Sequence, residues 1–438
     1  MRIIVQKFGG TSVASELGWS RLAVKVREAQ QQGLHPVVVV SAMGRYPAPY
    51  ATDSLLALIA PYSGCGDLQE RDMLMACGEI ISAVVLSHYL RTQGIKAKGF
   101  SGPQAGILTD DCYSEAQITA INPSRLTSAL EGGLVPVVAG FQGLSPQHRV
   151  VTLGRGGSDT TAVALGVALQ AEKVEIYTDV DGIMTADPRC VGDAKVLQRL
   201  TYMEVGEMAR EGARVLHPRA AVMAKTYNLP VVVRSTFSDH PGTLLVPDDA
   251  CGAEGETVPE LAADNTADAG PGEYGEKNKA LLSDRVAGRG QVATGIVTVP
   301  GRCAVNVDLA WAPDYQEARM KVLESMASHM VSLDMIDVVG NHLYFLINQS
   351  DMVQAREYLR ELGYGFTVCQ NCAKVSVVGH NMRGVPGVMR RICQALARAS
   401  VRLLYATDSH ITISCVVPEE QMQLAAANLH SEFALKDL

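Results

Sequence analysis

The chain has 438 residues, 47% of them hydrophobic and 19% charged, which is ample for a buried core and too long for one ordinary domain. A formal net charge of -8 excludes an electrostatic basis for binding nucleic acid or a membrane surface. No run approaches eighteen uninterrupted apolar residues, so no membrane span is expected, and the apolar start, Met1 to Val5, is too short for a signal peptide.

In chain order, the first 245 or so residues alternate short β-branched runs with longer helical stretches. The expected strands are Ile3–Phe8, Pro36–Ser41, Val135–Gly140, Val174–Thr178 and Pro230–Arg234. The expected helices include Leu17–Gln32, Asp67–Leu90 and Asp159–Gln170. Runs such as Val37-Val38-Val39-Val40 are apolar throughout, as strands covered on both faces are. The alternation predicts a mainly parallel sheet in a three-layer α/β/α sandwich over residues 1–247, with ligands bound beyond the carboxyl ends of the strands. Residues 248–290 then carry ten acidic and four basic side chains among many Gly, Ala and Pro, and read as a linker.

Beyond the linker lies a weak internal repeat, assigned to 291–370 and 371–438. Each copy has an amphipathic helix (Gln316–His329, Val388–Ala399), an apolar strand (Leu343–Ile347, His410–Val417) and a second helix (Asp351–Leu362, Glu419–Leu429). The order fits two ferredoxin-like βαββαβ units. Two apolar runs, Ala293–Val299 and Cys303–Leu309, precede the first unit. That is one strand more than it needs, so the spare strand is a candidate to complete the second unit. Ten cysteines without framework spacing suit reduced thiols in a cytoplasm, and Cys369-Gln370-Asn371-Cys372 reads as packing rather than as a metal or redox site.

Four constellations carry chemistry. In Lys7-Phe8-Gly9-Gly10-Thr11-Ser12 a strand runs into a glycine pair whose backbone can approach a phosphate, with Lys7 supplying charge; a plain strand–turn–helix is the alternative. Gly154-Arg155-Gly156-Gly157-Ser158-Asp159 opens a helix, where orphan N–H groups and the positive dipole end attract anions and Arg155 can grip a carboxylate. The competing reading makes Ser158 or Asp159 an ordinary N-cap. Thr178-Asp179-Val180-Asp181-Gly182, with Asp187-Pro188-Arg189 after it, could hold a nucleotide base and ribose or be a simple acidic turn. Glu79, in an apolar helical segment, either meets a cationic ligand group or is a surface residue or a partner of Arg71.

Together these stretches, with Val40–Gly44, Gly78–Ser82 and Ala139–Gly143, resemble the aspartate kinase family of the amino acid kinase fold, and the C-terminal repeats resemble its paired ACT domains. The resemblance implies transfer of the γ-phosphoryl group of ATP, with Mg²⁺, to the side-chain carboxylate of L-aspartate in a cytoplasmic enzyme. It implies that Lys7, Gly9 and Gly10 hold ATP phosphates, and that Lys7, Arg155 and Asp159 are catalytic. Ser41, Thr52, Glu79, Arg155 and Ser158 would hold aspartate, and Thr178, Asp179, Asp187 and Arg189 would line the nucleotide site. An amino-acid effector (lysine, threonine or diaminopimelate) would bind near Met382, Val385, Pro386 and Gly387, at ACT interfaces of a homodimer or larger assembly. The sequence departs from the family in two places. Arg214 replaces the usual lysine before Val215-Leu216-His217-Pro218-Arg219, and Ala312–Gln316 replaces a Pro-Gly turn in the first repeat. The alternatives are another amino acid kinase and a non-catalytic ACT-type amino-acid sensor on a kinase fold.

Overall fold

The computed structural model describes residues 1–213, 216–248, 292–379, 382 and 385–438. The acidic stretch beyond Asp248, together with Arg214, Val215, His380, Asn381, Arg383 and Gly384, lies outside the described residues. The chain divides into two compact units that cut across the sequence order. The first comprises 1–183, 196–209 and the described residues of 214–289; the second comprises 184–195, 210–213 and the described residues from 290 to 438.

The first unit begins with β1 (Ile3–Phe8), α1 (Glu16–Gln31), β2 (His35–Val40), α2 (Thr52–Ile59), α3 (Leu68–Thr92), β3 (Ala97–Phe100), β4 (Ile107–Thr109) and β5 (Ile118–Ile121). It continues through α4 (Ser124–Glu131), β6 (Val135–Ala139), β7 (Gln142–Leu144), β8 (Val150–Thr152), α5 (Gly157–Ala168) and β9 (Lys173–Thr178). The remaining elements are β10 (Arg199–Thr201), α6 (Tyr202–Arg210), α7 (Pro218–Thr226), β11 (Val231–Ser235) and β12 (Thr243–Val246). Eight strands form one sheet in the order β10-β12-β11-β9-β1-β2-β6-β3, parallel except for the β11–β12 pair. The run of valines in β2 is wholly buried, as its two-sided apolar character predicts. β4, β5, β7 and β8 form a second, four-stranded sheet. The α3 helix is long and apolar enough by composition to cross a membrane. Half of its most apolar window is buried inside the protein, and it carries the buried carboxylates Asp72 and Glu79, the marks of a core helix.

The second unit is built on one six-stranded antiparallel sheet, β14-β15-β13-β16-β18-β17. Its elements are β13 (Gly295–Asp308), α8 (Tyr315–Ser328), β14 (Asp334–Val339), β15 (His342–Asn348), α9 (Met352–Glu361), β16 (Gly365–Val378), α10 (Val388–Arg398), β17 (Tyr405–Asp408), β18 (Thr412–Pro418) and α11 (Met422–Glu432). The two apolar runs at 293–309 are one continuous strand rather than two. The β13 strand passes through Pro300-Gly301, with Gly301 at a φ of 68°, and its ladder with β16 shifts register there. Residues 295–299 of β13 pair with 374–378 of β16, and residues 304–308 with 365–369. Each repeat keeps its own apolar core, one around Phe345 and Val322 and one around Ile392 and Val417.

Candidate active site

Parallel strands end on one edge of the sheet, and their carboxyl ends meet there through backbone bonds. The Gly9 N–H donates to the Tyr177 carbonyl at 3.1 Å, Ser41 N–H to that of Phe8 at 3.2 Å, and Gly140 N–H to that of Val40 at 3.0 Å. This places the turns after β1, β2, β6 and β9 side by side, where an open α/β sheet binds its ligands. Gly10 is required by close approach: a Cβ there would lie 2.8 Å from the Ala42 carbonyl oxygen and 2.9 Å from that of Gly44.

The turn before α5 settles the two readings of Gly154–Asp159. The N-cap is Gly156, in the left-handed region at a φ of 70°, and no side chain caps the helix. Ser158 and Asp159 therefore sit inside the first turn, where the Gly157 and Asp159 amides donate to the Gly154 and Gly156 carbonyls and no side chain takes the Ser158 amide at the positive end of α5. The Asp159 carboxylate forms an ion pair of 2.6 Å with Lys7, both side chains being largely buried. The pair ties the end of β1 to the start of α5 and brings the first two glycine constellations into one site. Arg155 is exposed and has no ion-pair partner among the described residues. Ser158 is buried, close enough to Gly140 that a Cβ on that glycine would meet it at 2.9 Å.

Glu79 is 3% exposed, which excludes the surface reading, and it forms no ion pair with Arg71. One carboxylate oxygen accepts the Ala42 N–H at 3.0 Å; the other is buried without a partner. Burial pushes its carboxyl up to about 8, only partly opposed by the Ala42 amide. A cation such as an ammonium ion would satisfy its free oxygen. Ser41 and Thr52 are half-buried on the two segments that bring Ala42 and Leu55 against Gly78 of the helix carrying Glu79. At the end of β9, the Thr178 hydroxyl donates to Asp179 at 3.1 Å, and Arg45 lies 3.9 Å from the Asp179 carboxylate.

The chain matches the amino acid kinase family over residues 2–235 and an ACT domain over residues 375–433. It is 39% identical to Aspartokinase 1 of Bacillus subtilis over 435 residues, 99% of this chain and 100% of that one. The chain belongs to the aspartokinase family. Its fold matches aspartate kinase from Synechocystis with a TM-score of 0.74 and 28% identity, over 99% of this chain and 98% of that one. It also matches aspartokinase III of E. coli in complex with aspartate and ADP and in complex with lysine and aspartate. These matches have a TM-score of 0.72 and 23% and 24% identity, over 98% of this chain and 99% of those.

Other expected site residues belong to the second compact unit. Asp187 and Arg189 are in the second compact unit, where three guanidinium–carboxylate contacts of 2.7–3.2 Å join them and hold the Asp187 carboxyl below its usual value. Met382, Val385 and Gly387 line a cavity of about 430 Å³ in the second repeat, with Val388, Asp408 and Ile413, and Pro386 is an exposed turn residue beside it. The N-cap of α10 is Gly387, with a φ of 92° and no side-chain cap. In the first repeat, Asp314 caps α8 instead, accepting from Gln316 N–H at 2.7 Å and Glu317 N–H at 3.3 Å. The helix end that is open in one repeat is closed in the other.

Sequence reasoning missed the residues that position the site. Asp72 is fully buried and accepts the Thr152 N–H at 2.7 Å and the Ser114 N–H and hydroxyl at 2.8 Å each, anchoring the strand that leads into Gly154. Arg219 donates to the Leu153 carbonyl at 3.2 Å, and the His217 ring packs against Gly156. An acidic residue two turns from Glu79 on an apolar helix was the available signal for Asp72.

Proposed function

We propose that this chain transfers the γ-phosphoryl group of ATP to the β-carboxylate of L-aspartate, giving 4-phospho-L-aspartate and ADP. The single observation that carries the reading is the uncapped glycine turn at α5 with Asp159 ion-paired to Lys7. The product opens the synthesis of lysine, diaminopimelate, threonine and methionine, in the cytoplasm. Mg²⁺ would enter with the nucleotide as part of the substrate and offset phosphate charge.

The chemistry asks little covalent help from the protein. The acceptor carboxylate is ionised at neutral pH, so attack on phosphorus needs no general base. The barrier is the approach of two anions, and it falls when fixed cations and amide donors meet the charge that spreads over the phosphoryl oxygens. Lys7 and the Gly10 amide serve that role, Gly9 lets the backbone pass close to the phosphates, and Asp159 holds Lys7 across the turn. Glu79 takes the substrate ammonium and Arg155 its α-carboxylate, with the hydroxyls of Ser41, Thr52 and Ser158 completing the cradle. Thr178, Asp179, Asp187 and Arg189 serve the nucleotide. The amino-acid effector binds the second repeat, its carboxylate at the open end of α10 and its ammonium at Asp408, in a homodimer joined through the ACT repeats.

ADP release coupled to an indicator reaction, measured with L-aspartate, with L-glutamate and without acceptor, tests the reading. ADP formed only with aspartate is expected; turnover without acceptor, or none with any, overturns it. Titration with lysine, threonine and diaminopimelate tests regulation, which fails if all three inhibit equally or none does.

A further inference from the structure

Cys369 and Cys372 lie where β16 leaves one repeat and enters the other. Residues up to Cys369 pair with the distal half of β13, and residues from Cys372 onward pair with β18. Between them the β13–β16 ladder slips, and Asn371 adopts a left-handed φ of 53°. A bulge of this kind breaks the alternation that would send nearby side chains to opposite faces. The outcome is visible at the sulfurs. The Cys372 Sγ lies 3.3 Å from the Cys369 carbonyl oxygen and 3.6 Å from that of Gln370, and the Cys369 Sγ lies 4.0 Å from the same Gln370 oxygen. The two thiols approach one shared acceptor, the Gln370 carbonyl oxygen.

Their exposures differ in the way a redox pair requires. Cys369 is exposed, whereas Cys372 is fully buried in a small cluster with Leu346 and Val416, separate from the cores of the two repeats. Cys303, on β13, is buried in the core of the first repeat. Among the described residues no group of three or more His, Cys, Asp or Glu side chains is arranged to hold a metal ion.

We propose that Cys369 and Cys372 are a reversible dithiol–disulfide modification site at the junction of the two repeats, oxidised by a peroxide. The exposed Cys369 thiolate attacks one peroxide oxygen, breaking the O–O bond and releasing hydroxide, and becomes a sulfenic acid. The Cys372 sulfur then attacks the Cys369 sulfur, expelling the hydroxyl as water as its own proton is lost. The balance is two thiols and one hydrogen peroxide giving one disulfide and two waters. Two equivalents of a small thiol reverse it by exchange, forming their own disulfide. Burial, and then its neighbour Cys369, push the Cys372 thiol up to about 12, so the first attack belongs to Cys369 and closure is the slower step. The linkage covalently closes the bulge at the crossing of the two repeats.

The sequence supplies a direct assay. Arg360 and Lys374 bound a tryptic peptide, 361–374, that contains both cysteines and no other. The full chain is treated with hydrogen peroxide, denatured, alkylated with iodoacetamide and digested. The expected product is this peptide lacking two hydrogens and both alkyl groups, regaining two alkylation sites after reduction by a small thiol. Cys369→Ser, at an exposed position, is expected to abolish the loss and leave Cys372 alkylatable; Cys303→Ser is expected to change nothing. A cross-link to the peptide beginning at Cys303, sulfinic acid at Cys369 with Cys372 still alkylatable, or full alkylation of both cysteines each overturns the proposal.

Discussion

Glu79 and Lys7 illustrate what single residues contribute. The Glu79 carboxyl moves from an ordinary 4.5 to about 8 because its carboxylate is stripped of water. Between those values the folded chain holds a proton that the unfolded chain has released, so stability falls by about 1.4 kcal/mol per pH unit as pH rises, and levels off above about 8. Denaturant unfolding followed across this window is expected to show that slope in the wild type and to lose it in Glu79→Gln. Aspartate binding runs in the opposite sense, because the substrate ammonium needs the ionised carboxylate. The apparent KM for aspartate is expected to fall as pH approaches 8, and Glu79→Gln to cost about 2–5 kcal/mol of aspartate affinity in steady-state kinetics. Lys7→Met is expected to lower kcat about 10²–10³-fold with a much smaller change in aspartate KM, since its charge meets the transferring group. The glycine turn after β1 was legible in sequence because glycine marks where backbone must come close, as at Gly10 beside the Ala42 and Gly44 carbonyls. Asp72 was not, because its partners Ser114 and Thr152 are 42 and 80 residues away.

At the scale of elements, long apolar segments were legible to within a residue or two. Predicted Ile3–Phe8, Pro36–Ser41 and Val174–Thr178 became β1, β2 and β9 because strands buried on both faces announce themselves by continuous β-branched runs. The strands of the four-stranded sheet have three or four residues each, too few for any period to register. Pro300-Gly301 read as a break, whereas antiparallel partners on both sides carry β13 through it. The α5 turn gives a prediction of its own. Alanine at Gly156 would hold a Cβ at positive φ and 2.2–2.4 Å from the His217 side chain. Gly156→Ala is therefore expected to lose about 1–3 kcal/mol in thermal unfolding and at least tenfold in kcat/KM for ATP.

The whole molecule is not divided where its sequence composition changes. Residues 184–195 precede the acidic stretch by more than fifty positions, yet Ala186 and Val191 belong to the core of the second repeat. There the Thr185 hydroxyl is 2.9 Å from His430 Nε2, and His430 Nδ1 is 3.6 Å from Asp193. Glu211 likewise accepts from the Ser376 and Ser414 hydroxyls and pairs with the buried Lys374. No local pattern forecasts such insertions, because short polar segments are placed by partners two hundred residues away. Burial lowers the His430 pKa below 6.5, against the smaller opposing pull of Asp193. The folded chain then binds fewer protons than the unfolded one, so this contribution is whole above about 6.5 and is lost as pH falls toward the folded value. The protection of residues 184–195 against hydrogen exchange, corrected for the intrinsic rate, is expected to fall below that pH in the wild type, and Glu211→Ala to cost about 1–3 kcal/mol in denaturant unfolding by removing the acceptor of the Ser376 and Ser414 hydroxyls and one of the two carboxylates, with Asp334, on Lys374. The shared strand β13 also bears on synthesis. Its first half emerges from the ribosome about 75 residues before the partner segment that begins at Lys374, a wait of about 4–15 s at ordinary elongation rates. The apolar edge bearing Ile296 and Val297 must stay unpaired for that interval, so the nascent second repeat acquires its sheet only as the last sixty or so residues are being made.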